Sequence, residues 1–322
     1  MTTECTRGTI TSMLDEINTK IQLELFKDGR LSNAELALKL GINAVTVAKR
    51  VHTMIEKGTI RISAIPNPFK MGHNFGAFIG LDVDLTRVKT VCSQLTSNHN
   101  VNLVVTCFGR FDVLLIVYFH ERKMLESFIG EELHQIEGVN RIETYLISET
   151  KKQYQGIFKN NSNTSELTQI DETDQKLIRE LMQNGRVRHA DLAIKLGIDT
   201  STVSRRITSL LREDIIKIVA IPDPFKLGYS ANAIILINAE VAKVEQICSQ
   251  LYNYPEVRLI MKLMNGYEIL ISVHFPNSEI LYEFIKSNIA ILDGVINTET
   301  FIREMFFHYS TDFMFPPPIE HQ

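Results

Sequence analysis

From Leu14 to about Lys57, apolar residues return every three or four positions: Leu14, Ile17, Ile21 and Leu25, then Leu36 and Leu40, then Val47, Val51, Met54 and Ile55. That spacing lines one face of a helix and predicts three short helices, near 14–27, 32–40 and 43–57. Ser32-x-x-Glu35 is a capping box able to start the second helix. Gly41 can end that helix at positive φ, and Asn43 can cap the third. After IPNPFKMG the period shortens to that of strands. FGAFIGLDV (75–83) predicts a strand, and RVKTVCSQL (87–95) a helix with Val88, Val91, Cys92 and Leu95 on one face. VNLVVTCF and FDVLLIVYF flank a hairpin turn at Gly109-Arg110. A helix over about 122–135 and a strand at VNRIETYLI (139–147) complete the unit. The order β-α-β-β-α-β predicts a four-stranded antiparallel sheet with both helices on one face, a ferredoxin-like arrangement. Two of its strands are apolar at nearly every position, so both sheet faces are expected to be buried. The obvious cover is a second such sheet.

The chain supplies one. Residues from Leu14 onward recur from Ile170 at an ungapped offset of 156, with roughly 26 of the 59 positions from Leu14 to Gly72 identical. The match continues through Pro222, Pro224, Phe225, Lys226 and Gly228, through Cys248-Ser249-Gln250-Leu251, and through Glu299-Thr300. A period this long is a duplicated two-part unit and not a solenoid, whose repeats are about 20–50 residues. The second copy keeps Gly197 and a capping Asp199 but has Arg188 in place of Ser32, so its middle helix should start less cleanly. The expected fold class is α+β: two winged helix-turn-helix domains (1–63 and 169–219) and two ferredoxin-like domains (64–155 and 220–322). They run in tandem, with a polar linker at 156–168.

Composition narrows the chemistry. With 44% apolar and 22% charged residues in 322, the chain is expected to fold and not to be disordered. Four cysteines (Cys5, Cys92, Cys107, Cys248) and nine histidines show no metal-ligand spacing, so no metal or other cofactor is expected. Cys92 and Cys248 fall at equivalent helix positions and are expected to be core thiols. MTTECTRGTI does not resemble a signal peptide, and no apolar run approaches the roughly 20 residues of a membrane span. The expectation is a cytoplasmic protein with no membrane partner.

The helical units admit two roles, packing or reading double-stranded DNA. Outward positions on the third helix of the second copy are Thr200, Ser201, Thr202, Ser204, Arg205 and Arg206, types suited to phosphates and base edges. The first copy offers Asn43, Ala44, Val45, Thr46, Ala48, Lys49 and Arg50, where Val45 or Ala48 suits a thymine methyl and Asn43 suits the cap. Charge is sparse for nucleic acid. Residues 14–60 carry seven basic against six acidic groups and 170–216 eight against eight, so the salt-dependent part of binding should be modest. The acidic residues of each first helix (Asp15, Glu16, Asp171, Glu172, Asp174) are expected to lie away from the reading face.

The succession D-E-x-x-x-K, G-R-[LV]-x-x-A-[ED]-L-A-x-K-L-G-I, T-V-x-[KR]-R and I-P-[ND]-P-F-K-[ML]-G, followed by β-α-β-β-α-β, closely resembles the Lrp/AsnC (feast/famine) transcriptional regulators. The resemblance covers both copies. It implies DNA-binding units and effector domains that sense small molecules, often amino acids, and no catalysis. Members usually carry one copy and dimerise, so this chain is expected to be an intrachain pseudo-dimer able to assemble into homo-oligomers.

Gly109, Phe111 and Asp112 resemble the family's G-x-[YF]-D turn at the effector site, and Gly266, Tyr267 and Glu268 replace it in the second copy. On that resemblance Asp112 or Glu268 faces a ligand ammonium. On the plainer reading the glycine makes the turn, the aromatic packs and the acid is solvated. Thr298 and Thr300 match a family T-x-T contact, whereas the first copy keeps only Thr144, beside Ile142. Two alternatives accompany the regulator. The same architecture resembles sirohaem decarboxylases, which would need His and Arg converging between the effector units. The other is a regulator working only through protein partners.

Overall fold

The computed structural model describes residues 16–67, 70–98, 100–152 and 170–309. The start of the first helix at Leu14, the linker at 156–168 and the terminal proline-rich stretch lie outside those residues. The first helical unit is α1 (Glu16–Lys27), α2 (Asn33–Leu40) and α3 (Ala44–Glu56); the second is α6 (Glu172–Gln183), α7 (His189–Leu196) and α8 (Thr200–Arg212). Ser32 and Glu35 form the reciprocal capping box, while Gly41 and Gly197 both adopt φ 66° after α2 and α7. Arg188 stands at the N-cap of α7 without a side-chain capping bond and instead pairs with Asp191 at 2.8 Å. Asp199 occupies the N-cap of α8, but its side chain makes no cap bond.

Two strands that helical periodicity hides follow the helices. β1 (Ile60–Pro66) and β6 (Ile216–Pro222) pair antiparallel along their whole length, Ile60 opposite Pro222 and Pro66 opposite Ile216. The boundaries expected at 63/64 and 219/220 fall inside these strands, so the wing of each helical unit is one half of a shared ribbon. The units also exchange contacts. Gly29 donates its N–H to Ile218 O (2.8 Å), and Gly185 donates to Ile62 O (2.9 Å). The Arg186 guanidinium donates to the carbonyls of Gly29 (2.8 Å) and Leu31 (2.6 Å). A Cβ at Gly29 would lie 2.9 Å from the backbone of Val219, which is the steric reason for glycine there.

The effector units follow as β2 (Phe75–Val83), α4 (Val88–Thr96), β3 (Val101–Phe108), β4 (Val113–Phe119), α5 (Arg122–Ser127) and β5 (Val139–Lys152). Their counterparts are β7 (Ala231–Ala239), α9 (Val244–Tyr252), β8 (Val257–Met264), β9 (Ile269–Phe275), α10 (Ser278–Phe284) and β10 (Val295–Tyr309). The helix expected over 122–135 continues beyond α5 as a wider π-helical segment (Phe128–Leu133), and Ile285–Ile289 repeats this after α10.

The two sheets do more than face one another. β5 runs on to Lys152 and pairs with β8, and β10 pairs with β3, so the strand order β10-β3-β4-β2-β5-β8-β9-β7 closes into a barrel. Closure leaves neither sheet with an open edge, which removes the aggregation hazard of exposed apolar strands. Phe78, Phe111, Leu114 and Tyr118 of the first copy meet Ile234, Leu236, Met261 and Phe301 of the second in the barrel interior. The outer faces are covered by α4 and α5 and by α9 and α10, where Cys92 and Cys248 sit buried and burial pushes both thiols up to about 12. Cys107 is likewise buried, with its thiol at about 12, and Cys5 lies outside the described residues.

Candidate functional site: reading helices, barrel end and interior cavity

Each third helix buries one side and presents the other. Val47, Val51 and Met54 of α3 and Val203, Ile207 and Leu210 of α8 face their own bundles. Ala44, Val45, Thr46 and Lys49 are exposed, Val45 at 77%, as are Thr200, Ser201 and Arg205. Thr202 and Ser204 are part-buried. Asn43 is spent on the cap, its Oδ1 accepting from Val45 N at 2.8 Å. The two arginines that end the run behave differently from Lys49 and Arg205. Arg206 Nη1 donates to Asp171 Oδ2 (2.7 Å) and Asp174 Oδ1 (2.9 Å), and Arg50 Nη1 donates to Asn18 Oδ1 (3.0 Å), the position equivalent to Asp174. Asp171 and Asp174 were expected away from the reading face, and this corrects that expectation. They reach its edge and hold Arg206 against α6, because Arg206 stands about 100° round α8 from Arg205, on the flank of the buried Val203, Ile207 and Leu210.

At the barrel end the hairpin turns meet. Gly109 sits at φ 150° and Gly266 at φ 113°. Asp112 Oδ2 accepts from Val83 N (2.8 Å), and Glu268 Oε2 accepts from Ala239 N (2.8 Å), so both carboxylates close their own turns against a neighbouring strand. This revises the placement in which either faces an ammonium group. The centre is instead held by Arg110, whose counterpart in the second copy is Gly266. Its guanidinium grips Glu299 through two bonds of 2.9 Å and donates to Glu143 at 2.6 Å and to Tyr145 Oη at 3.1 Å. Glu143 and Glu299 are equivalent positions, so one arginine bridges the two copies across the pseudo-twofold. Phe111 stacks on Phe301 (5.5 Å), and Tyr267 donates to Glu299 at 2.9 Å. Burial works against the Glu143 carboxylate, yet bonds from Tyr145 and Arg110 hold it below its usual range. Thr144, Thr298 and Thr300 are part-buried beside this clasp, and the Thr144 carbonyl accepts from Asn265 Nδ2 at 3.1 Å.

A third feature lies inside the barrel. A cavity of about 510 Å³, within the usual 300–1,000 Å³ of small-molecule sites, runs between the sheets and up against the β1–β6 ribbon. Its wall is mostly apolar, with Leu103, Ile116, Ile234 and Met261 among the lining residues, but Arg258, His274 and Arg303 converge on it. Arg303 is 8% exposed, and desolvation lowers its guanidinium to about 10. Burial and then the two arginines push His274 well below the usual histidine range, so its ring is neutral at pH 7. Arg258 bonds to Tyr229, and its Nε has no hydrogen-bond partner among the described residues.

Sequence profiles separate the same parts. An AsnC-type helix-turn-helix domain matches residues 14–55, a winged helix-turn-helix DNA-binding domain matches 170–217, and the Lrp/AsnC ligand binding domain matches twice, at 76–157 and 232–303. A helix-turn-helix transcriptional regulator of Pyrococcus furiosus is 36% identical over 141 residues, which is 95% of that protein and 44% of this chain. The chain belongs to the Lrp/AsnC family. The regulator FL11 of Pyrococcus horikoshii, 33% identical over 134 residues, likewise spans 41% of the chain and 88% of its own length. Each such relative therefore corresponds to one copy of this tandem member. Over the whole chain the fold is that of the sirohaem decarboxylase NirDL, solved in complex with an iron-uroporphyrin III analogue. The two align over 92% of this chain and 96% of that one with TM-score 0.65, at 14% identity.

Within the Lrp/AsnC frame, the residues that composition and motif did not single out are Arg110, Arg258, His274 and Arg303. One signal was available. At each of these positions the copies differ sharply in type: Gly266, Asn102, Tyr118 and Ile147 are the counterparts. Each departure puts a basic residue type where the other copy has none.

Proposed function

We propose that this Lrp/AsnC chain is a transcriptional regulator that reads an operator of two unlike half-sites with α3 and α8, and that it does so without catalysing a reaction. The observation carrying this reading is the exposed N-terminal face of each third helix, mounted on three-helix units that one ribbon holds in fixed relation. Helices so held suit successive major grooves about 34 Å apart. Ala44, Val45 and Thr46 would favour thymine methyls, while Thr200, Ser201 and Arg205 would favour polar base edges and phosphate. Selection of bound sequences from random double-stranded DNA tests it. The expected product is two different short motifs spaced by about one helical turn, roughly 10 base pairs. Recovery of a perfect palindrome, or no enrichment, would count against two unlike readers, and the latter would favour action through protein partners.

A second reading has an observation of its own: histidine and arginine do converge between the effector units, as a decarboxylase acting on a tetrapyrrole acid requires. Incubation with sirohaem tests it, the expected sign being a changed absorption spectrum accompanied by release of carbon dioxide. For the effector, the turns around Gly109, Phe111, Thr144, Gly266, Tyr267, Thr298 and Thr300 remain the site that family resemblance implies. A ligand entering there has to displace the Arg110 clasp.

A further inference from the structure

The barrel closes along two seams that are equivalent by the repeat but unlike in chemistry. At the β5–β8 seam Glu149 stands opposite Lys262. Lys262 Nζ reaches Glu149 Oε2 at 3.4 Å and Glu245 Oε1 of α9 at 2.6 Å. Lys151 Nζ reaches Glu149 Oε1 at 2.8 Å and Glu245 Oε2 at 2.9 Å. Lysine and glutamate thus alternate around a closed ring of four ion pairs, with Glu149 and Lys151 from the first copy and Glu245 and Lys262 from the second. Glu149, Lys151 and Lys262 are only 20–26% exposed, so the ring is screened less than an isolated surface pair. The equivalent positions at the β10–β3 seam are Met305, Phe307, Lys89 and Thr106, and among these only Lys89 is charged.

Those residue types decide which halves suit one another. Two first copies joined in this register would put Glu149 opposite Thr106 and bring Lys151 to Lys89, a like-charge contact, at both seams. Two second copies would put Lys262 opposite Met305 and leave Glu245 with Phe307 in the place of Lys151. Only unlike halves complete the ring, and like charges set side by side are penalised. The barrel end excludes one like pair as well. Arg110 of the first copy holds Glu143 and Glu299, which are equivalent positions. Two second copies would set Glu299 beside Glu299 with Gly266 in place of the arginine.

We propose that the ring is a pairing code: a first half of the barrel accepts a second half, its own or that of another copy of this chain, and rejects its like. The partner it fits carries a β8 lysine and an α9 glutamate in this register. The β1–β6 ribbon joins the same two halves, so the code also puts one α3 and one α8 under every barrel. Pairing is independent of DNA, and only its value for an operator of unlike half-sites rests on the regulator reading above.

Two full-length variants test the code. Glu149→Lys with Lys151→Glu reverses the first half, and Glu245→Lys with Lys262→Glu reverses the second. Neither variant completes the ring within its own chain or with a second copy of itself, but each supplies the half that the other needs. Leu146 and Met264 are exposed and stand opposite each other across the seam. Leu146→Cys in the first variant and Met264→Cys in the second therefore report which halves have met. Produced together in one cell and oxidised with diamide, the pair should give an interchain disulfide. Its yield should exceed that of unreversed chains carrying the same two cysteines by about tenfold or more, the scale of several like-charge contacts relieved. The unreversed pair also measures any side-by-side contact between closed barrels. All four reversals and both cysteines in one chain should restore the wild-type melting point and give the disulfide within the chain. Equal yields with and without reversal overturn the code, and so does a fourfold variant that fails to fold, since its charges are complementary again. A fourfold variant that folds, beside a co-produced pair that stays insoluble or unlinked, overturns acceptance of another copy's half. Disulfide exchange as expected, with no selective DNA binding by the wild-type chain, sinks the regulator reading and leaves the code standing.

Discussion

Gly29→Ala is expected to cut affinity for an operator carrying both half-sites by about 100-fold, the lower end of what linking two binding modules supplies. Binding to a single half-site should barely change. The cause is local. The new Cβ would sit 2.9 Å from Val219 Cα and N and 3.0 Å from Ile218 O, all backbone atoms that cannot turn aside as a side chain can. The end of α1 must therefore lift from β6, losing the Gly29 N–H to Ile218 O bond and disturbing the carbonyls that Arg186 holds. Overpacking of this kind costs about 1–3 kcal/mol and should appear as a lower melting point of the helical unit. The larger loss on long DNA arises because two readers act together only when their separation matches the groove repeat. Gly130→Ala is the control, since a Cβ there meets nothing within 4 Å. Gel shifts on one-site and two-site duplexes separate the effects: a parallel loss on both would show that the ribbon contact supports the fold but not the spacing.

The sequence disclosed what periodicity and repetition encode. The three-helix units, the β-α-β-β-α-β order and the internal doubling were legible because each is a pattern over many residues. Phe75–Val83 matches the strand expected from FGAFIGLDV end to end. What stayed hidden was pairing between copies. β1 and β6 follow their helices without a break, and their partner lies 156 residues away, a relation no local pattern carries. Barrel closure was missed for the same reason: β5 and β10 extend beyond the expected strands through ETKK and EMFFHY, and the strands they pair with lie in the other half of the chain. The site residues divide along similar lines. Exposure of Thr46, Lys49, Thr200 and Arg205 follows from helical phase. The engagement of Arg206 by Asp171 and Asp174, and of Asp112 by the Val83 amide, depends on tertiary approach. So does the convergence of Arg258, His274 and Arg303, which stand on three different strands.

Arg205→Ala should weaken protection of the second half-site by about 1–3 kcal/mol, roughly 5- to 150-fold, while leaving the first half-site footprint and the melting point unchanged. Arg205 is exposed on the solvent side of α8, whereas its neighbour Arg206 is tied to Asp171 and Asp174 of the second reading unit. Arg206→Ala removes the clamp on Asp171 and Asp174 and leaves two carboxylates close together at the start of α6. Its first effect is therefore on the stability of the second reading unit, and any loss of DNA contact comes with a lower melting point. Lys49→Ala is the mirror of Arg205→Ala on the first half-site, with a smaller effect because an ammonium lacks the planar fork that reads guanine in two bonds. Footprinting of the three variants on one operator distinguishes them. Equal weakening of both halves by Arg205→Ala would mean that α8 does not own a half-site, and a melting point lowered as far by Arg205→Ala as by Arg206→Ala would mean that its exposed guanidinium supports the fold.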